Sequence, residues 1–184
     1  MFNVVQSIAA GRGLYGLNEA AFYARMPAAT LRAWFYPKQE ASRLITSQIE
    51  DGDEKFVSFL DFVEALAIRS LRLDCKIPLQ KIRAGLAFAK DQYNKEYLFA
   101  RRDHQVTWDG KDLHIFLDQD GNPTQITGRH QGQKSMHVCI QHFLNDLDFD
   151  EDGVAKLYRA DAYKDQQILM VPDQYFGRFA SWDG

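Results

Sequence analysis

Pro27 and Pro37 constrain this chain more than any other feature, because they fence off two helices too short to be stable alone. Between Leu17 and Phe22 the run Leu-Asn-Glu-Ala-Ala-Phe is rich in helix formers, and Asn18 stands where a capping side chain opens a helix. Met26-Pro27 stops that helix, since the proline ring disfavours a helical backbone at Met26 and offers no N–H. A second short helix restarts at Ala29 or Thr30, runs through Leu31-Arg32-Ala33-Trp34-Phe35 and ends before Pro37. Small Ala20, Ala21 and Ala24 allow the two to approach closely, so the pair reads as a helix-turn-helix, with Leu31 and Trp34 on its apolar side.

The next segment reads as a hairpin. Ser42-Arg43-Leu44-Ile45 is an expected strand, Glu50-Asp51-Gly52-Asp53 a turn, and Phe56-Val57-Ser58 the returning strand. Ser58 then caps a longer helix with Phe59, Phe62, Val63, Leu66, Ala67 and Leu71 on one face. Pro78 opens another, striped by Leu79, Ile82, Leu86 and Ala89 and extending as far as Tyr93. Beyond it the pattern shortens. Val106 to Trp108, Leu113 to Leu117, Pro123 to Thr127, Phe149, Val154 to Tyr158 and Ile168 to Val171 read as strands, and Met136 to Leu147 as an amphipathic helix. The expected class is α+β, with a DNA-binding-sized unit over residues 1–95 and a small mixed strand and helix domain over 96–184.

Charge divides along the same line. Residues 1–102 carry 15 Lys and Arg against 11 Asp and Glu, whereas residues 103–184 carry 7 against 14. Such a chain suits a polyanion on one half and another partner on the other, although its net charge is only −3. No apolar run is long enough to span a bilayer, and the start Met-Phe-Asn-Val-Val-Gln lacks a cationic segment followed by an apolar one. Cys75 and Cys139 are the only cysteines, far apart, as in a reducing compartment. A cytoplasmic protein without a membrane partner is the reading.

Enzymatic and metal-centred chemistry find little support. His137 and His142 lie five apart, which does not bring them to one helix face, so His130, His137, Cys139 and His142 do not make a usual zinc spacing. The acidic run Asp146 to Gly153 lacks a calcium loop's order and its closing Glu, and reads as a turn of solvated carboxylates. Gly11-Arg12-Gly13-Leu14-Tyr15-Gly16 has the spelling of a dinucleotide loop but no buried strand before it. No nucleophile elbow appears. No cofactor, metal or catalytic residue is expected.

Tyr15-Gly16-Leu17-Asn18-Glu19-Ala20-Ala21, followed by Pro27-Ala28-Ala29-Thr30-Leu31-Arg32-Ala33-Trp34, resembles the MerR-like winged helix-turn-helix. Phe56 to Ala65, Ile68 to Arg72, Ile77 to Arg83 and Asp148 to Ala155 are similar to segments of VapB-type antitoxins with a MerR-like N-terminus. Such proteins usually continue after an "fGrP" motif into a second small helical domain. Here that place reads Phe176-Gly177-Arg178-Phe179, and the domain is expected to be missing.

The resemblance implies a sequence-specific DNA-binding antitoxin that autoregulates its operon and neutralises a PIN-like RNase toxin. The second helix then enters the major groove, where Thr30 and Arg32 face bases. Arg25, Lys38 and Arg43 are expected on phosphates, joined by the hydroxyls of Tyr15 and Tyr36, with Asn18 in the same set. One short recognition helix reads few bases, so a homodimer is expected on double-stranded DNA. The alternative is a MerR-like transcription regulator whose second half senses a ligand or partner, with Trp108, Phe116, Phe143 and Tyr158 around an apolar pocket.

Overall fold

Local caps and left-handed turns decide where the first helices begin and end. The protein is seen here as a computed structural model that describes residues 14–47, 55–93, 97–102, 105–108, 113–116, 123–125, 137–138, 141–160, 168–172 and 180–181. Strand β1 (Leu14–Gly16) runs straight into helix α1 (Leu17–Tyr23), with Gly16 as its N-cap. The Glu19 carboxylate accepts the Gly16 N–H at 3.3 Å, closing the helix start. Asn18 is therefore not the cap expected of it. The extended strand reaches Gly16 and helix begins one residue later, which leaves Asn18 exposed in the first turn.

Arg25 ends α1 in the left-handed region at φ 49°. Its N–H reaches the Phe22 carbonyl at 3.1 Å while that of Met26 reaches Ala21 at 3.0 Å, the paired bonds of a Schellman stop. Pro27 then sits as N-cap of α2 (Ala28–Phe35), where its missing N–H costs nothing. Leu31, Trp34 and Phe35 face inward. The two-helix unit expected from the prolines is present.

The hairpin after it is organised differently from expectation. Residues Glu40–Ser42 form a turn of 3₁₀ helix, and the N–H groups of Leu44 and Ile45 both turn back to the Trp34 carbonyl, at 2.9 and 3.2 Å. That segment's donors are thus satisfied by the end of α2, and no strand forms at Ser42–Ile45. Strand β2 (Phe56–Ser58) pairs antiparallel with β1 instead, matching Tyr15 with Val57. The expected turn at Glu50 to Asp53 lies outside the described residues.

Ser58 caps helix α3 (Phe59–Leu73) as expected: its hydroxyl accepts the Asp61 N–H at 3.1 Å, and the Asp61 carboxylate accepts the Ser58 N–H at 3.3 Å. Every residue from Asp61 to Ile68 is buried, so α3 is the central helix and not an amphipathic surface one. Helix α4 (Leu79–Tyr93) follows, with Ile82 and Ala89 buried.

The second half supplies two antiparallel sheets. One has the order β5 (Pro123–Gln125), β4 (Leu113–Phe116), β3 (Gln105–Trp108), β6 (His137–Val138); the other runs β10 (Ala180–Ser181), β9 (Ile168–Met170), β8 (Ala155–Ala160), β7 (Leu147–Phe149). The helix expected from Met136 to Leu147 shrinks to α5 (Gln141–Asn145). His137 and Val138 pair with Trp108 and Thr107, and Leu147 pairs with Tyr158, so sheet pairing overrides helical periodicity at both ends. The acidic stretch is the β7–β8 turn: Asp150 accepts the Val154 N–H at 2.8 Å through its side chain, and Gly153 takes φ 73°. Arg159 pairs with Asp148 beside it.

Both halves share one apolar core. Tyr15, Phe35, Phe59, Phe62, Ile68 and Ile82 belong to the same cluster as Leu113, Phe143, Leu147 and Met170. Phe143 and Tyr158 pack together, and Tyr158 meets Phe62 with ring centroids 5.9 Å apart. Of the four aromatics expected around a ligand pocket, Phe143 and Tyr158 thus pack on each other; the Phe116 side chain lies outside the described residues. No helix among the described residues is long and apolar enough to cross a membrane.

Glu64 ties the halves together. Only 3% exposed, its Oε1 accepts the N–H of Phe99 at 2.6 Å and of Ala100 at 3.0 Å. The Ala100 carbonyl in turn accepts the Ala155 N–H at 2.9 Å, carrying the connection to β8. Burial pushes the Glu64 carboxyl up from 4.5 to about 8, against the lowering effect of those N–H groups. The folded chain therefore holds a proton that the unfolded chain releases above pH 4.5, and stability falls as pH rises from there towards about 8. Glu64→Gln keeps the accepting oxygen and removes the titration, so its melting temperature is expected to lose this downward slope across that window. Glu64→Ala leaves two buried donors unpaired and is expected to cost about 1–3 kcal/mol for each, read by urea unfolding.

Candidate nucleic-acid interface

The exposed side of α2 is built from Ala29, Arg32 and Ala33, one helical face with a single long cation between two methyl groups. Small neighbours let the backbone approach a flat or grooved partner, while the guanidinium reaches out from it. Arg32 lines an open groove together with Gly16, Leu17, Asn18, Glu19 and Lys55. Glu19 is engaged within α1, accepting the Tyr23 hydroxyl at 3.0 Å as well as the Gly16 N–H.

Lys55 was not among the residues expected in this surface. Its ammonium lies 4.8 Å from the centre of the Tyr36 ring, and the Tyr36 hydroxyl donates to the Phe56 carbonyl at 2.9 Å. Tyr36 thereby fastens the end of α2 to the start of β2 and stations Lys55 beside Arg32. Its hydroxyl proton is given to the backbone in this structure, where a phosphate contact was expected of it. The lysine's place depends on β2 pairing with β1, and nothing in the local sequence announces that pairing.

Tyr15 is also corrected. It is fully buried, 5.6 Å from Phe62 and 6.1 Å from Tyr23 between ring centroids, and its hydroxyl has no hydrogen-bond partner among the described residues. Burial, then the nearby Glu19 and Tyr23, raise its pKa. A side chain in that position cannot touch a phosphate on the surface.

The remaining expected residues are spread out. Thr30 is half-buried in the first turn of α2, and Lys38 is exposed just beyond Pro37. Arg25 is exposed in the inter-helix turn and lines a different groove, shared with Arg69, Asp74 and Tyr158. Arg43 is half-buried, pairs with Glu40 at 2.9 Å and faces a cavity next to α4. The structure thus gathers Asn18 and Arg32, adds Lys55, and sets Arg25 and Arg43 apart.

No group of three His, Cys, Asp or Glu side chains that could hold a metal occurs among the described residues. The side chains of His130, His137, Cys139 and His142 lie outside that set.

Comparison with known proteins bears on both halves of the chain. It is 24% identical over 183 residues to a Mycobacterium tuberculosis (strain ATCC 25618 / H37Rv) protein named "Putative antitoxin VapB45", covering 90% of this chain and 75% of that one. The crystal structure of Rv2018 from Mycobacterium tuberculosis has a similar fold, with a TM-score of 0.60 at 18% identity, over 90% of this chain and 78% of the other. No protein-family profile matches the chain.

The burial of Tyr15 yields a direct check. Tyr15→Phe removes a buried hydroxyl that lacks a partner and is expected to leave thermal stability equal or raised. A large loss of stability in thermal unfolding would place a hydrogen-bonding role on that oxygen.

Proposed function

We propose that this protein is an antitoxin of a type II toxin–antitoxin pair, acting in the cytoplasm as a homodimer. Through its first half it binds double-stranded DNA of its own promoter and represses it; through its acidic second half it masks a basic surface of a PIN-like RNase toxin. The observation that carries the reading is the extent of the likeness to the VapB45 antitoxin, which spans 90% of this chain and so includes both halves. A MerR-like winged helix-turn-helix is the fine structure proposed for the first half, with α1 and α2 as the two helices and β1–β2 at the base of the wing.

The chemistry of the α2 surface supports the DNA role. A helix face of two alanines around an arginine fits the major groove, where a guanidinium can bridge O6 and N7 of guanine. Lys55, held on the Tyr36 ring at the strand edge, supplies a phosphate contact flanking that helix. Asn18 lines the same groove, and its side-chain amide can donate to a backbone oxygen. Thr30 and Lys38 complete the proposed contact set, on bases and phosphate respectively. The opposite charge balance of the second half matches a toxin that must itself bind RNA, since an acidic partner competes with a polyanion.

Mobility shifts with DNA from upstream of the chain's own reading frame test the first part. Arg32→Ala is expected to cost about 1–3 kcal/mol and to relax sequence preference at one position, whereas Lys55→Ala weakens all sequences alike and lowers the salt slope by about 1. Unchanged binding in Arg32→Ala would remove it from the recognition surface. Co-expression tests the second part: the product of the adjacent reading frame is expected to arrest growth alone and to be silenced by this chain. A harmless neighbour, or one that this chain does not rescue, sinks the antitoxin role.

A further inference from the structure

A second feature lies apart from the α2 groove. Arg43, Arg83 and Lys90 converge on a cavity of about 260 Å³ bounded by α4, by the segment 43–47 and by Tyr97 and Leu98. Arg83, Leu86, Ala87 and Lys90 occupy one face of α4, so two cations bracket an apolar stretch about 10 Å long. Leu44 and Ile45 line the facing wall, which is fixed in place by their N–H bonds to the Trp34 carbonyl.

Among the described residues, Arg83 reaches only the Ser42 carbonyl, at 3.4 Å, and Lys90 only the Thr46 hydroxyl, also at 3.4 Å. Both contacts are long for hydrogen bonds, and among the described residues neither cation has a carboxylate at ion-pair distance. Arg43 is the exception, paired with the exposed Glu40. Glu64 is the one carboxyl in the lining, and its Oε1 is occupied by the Phe99 and Ala100 N–H groups. Positive charge at the rim and leucine and isoleucine within are the features of a site for an anion with an apolar body.

We propose that this cavity binds a small organic anion, a carboxylate or phosphate monoester, whose charged group lies between Arg83 and Lys90 and whose apolar part rests on Leu44, Ile45 and Leu86. The volume admits a molecule of metabolite size. The binding itself does not depend on the DNA-binding proposal and is read directly.

The test is a calorimetric or NMR titration of the full chain with benzoate, phenyl phosphate and benzyl alcohol, which share a ring and differ in charge. At least one anion is expected to bind at millimolar concentration or below and benzyl alcohol to bind far more weakly. Benzoate alone would mark a carboxylate ligand, phenyl phosphate alone a phosphate monoester. Lys90→Met, at an exposed position, and Arg83→Gln are each expected to weaken binding by about tenfold or more. Arg69→Gln, a cation on the other groove, is expected to leave it unchanged. If Arg83→Gln fails to fold, Lys90→Met decides alone. The proposal is overturned if neither anion binds at millimolar concentration, if benzyl alcohol binds as well as the anions, or if Lys90→Met binds like the native chain.

Discussion

A buried carboxyl, that of Glu64, fastens the segment that joins the chain's two halves to the central helix. It sits on the central helix and accepts two consecutive backbone N–H groups from the segment that leaves α4 for the sheets. Those donors are buried and would otherwise have no partner, so the cost of not meeting them is what confines Leu98, Phe99 and Ala100 to the core. From there the backbone bridges Arg101 to Val154 and Ala155 to Ala100, which seats β8 against α3. The carboxyl is shifted towards its neutral form because burial outweighs what the two N–H groups give back. A buried carboxyl shifted in that direction is a constraint that the packing around it must respect.

The same helix organises the candidate interface at its other end. The Ser58 and Asp61 caps fix the start of α3, and β2 runs directly into that cap. Pairing of β2 with β1 then brings Lys55 to the side of α2 and allows the Tyr36 ring to receive its charge. Two interactions that are purely structural, a helix cap and a three-residue strand pair, therefore compose the surface from residues far apart in sequence. Arg32 needs no such help, since its place on the outer face of α2 follows from the burial of Leu31, Trp34 and Phe35.

Much of the first half was legible from residue order because its signals are local. Pro27 and Pro37 bound α2, Ser58 opened α3, and Pro78 stood at the threshold of α4; each acts on backbone within a few residues of itself. The failures share a cause. Asn18 has a capping side chain, but an extended strand already reached Gly16 and Glu19 closed the helix there. Ser42 to Ile45 has a strand's composition, yet the free carbonyl at the end of α2 took its donors. Val138 has helical spacing with its neighbours, yet β3 offered a ladder. In each case a partner elsewhere in the chain, invisible to a local pattern, had the better hydrogen bond to give. Tyr15 failed for another reason: a tyrosine before a helix has the same spelling whether its ring faces water or Phe62.

By itself, then, the sequence determined the number and order of the first helices, the turn between α1 and α2, and the identity of Arg32 as an outward cation. These rest on proline geometry, capping and 3.6-residue periodicity, all of which operate within one or two turns. Only the tertiary structure decided which strand meets β1, that Tyr15 is core, that Lys55 joins Arg32 on one groove, and that Arg43 lines the cavity beside α4. Those outcomes turn on long-range strand pairing and packing, which can be settled only when the whole chain is in place.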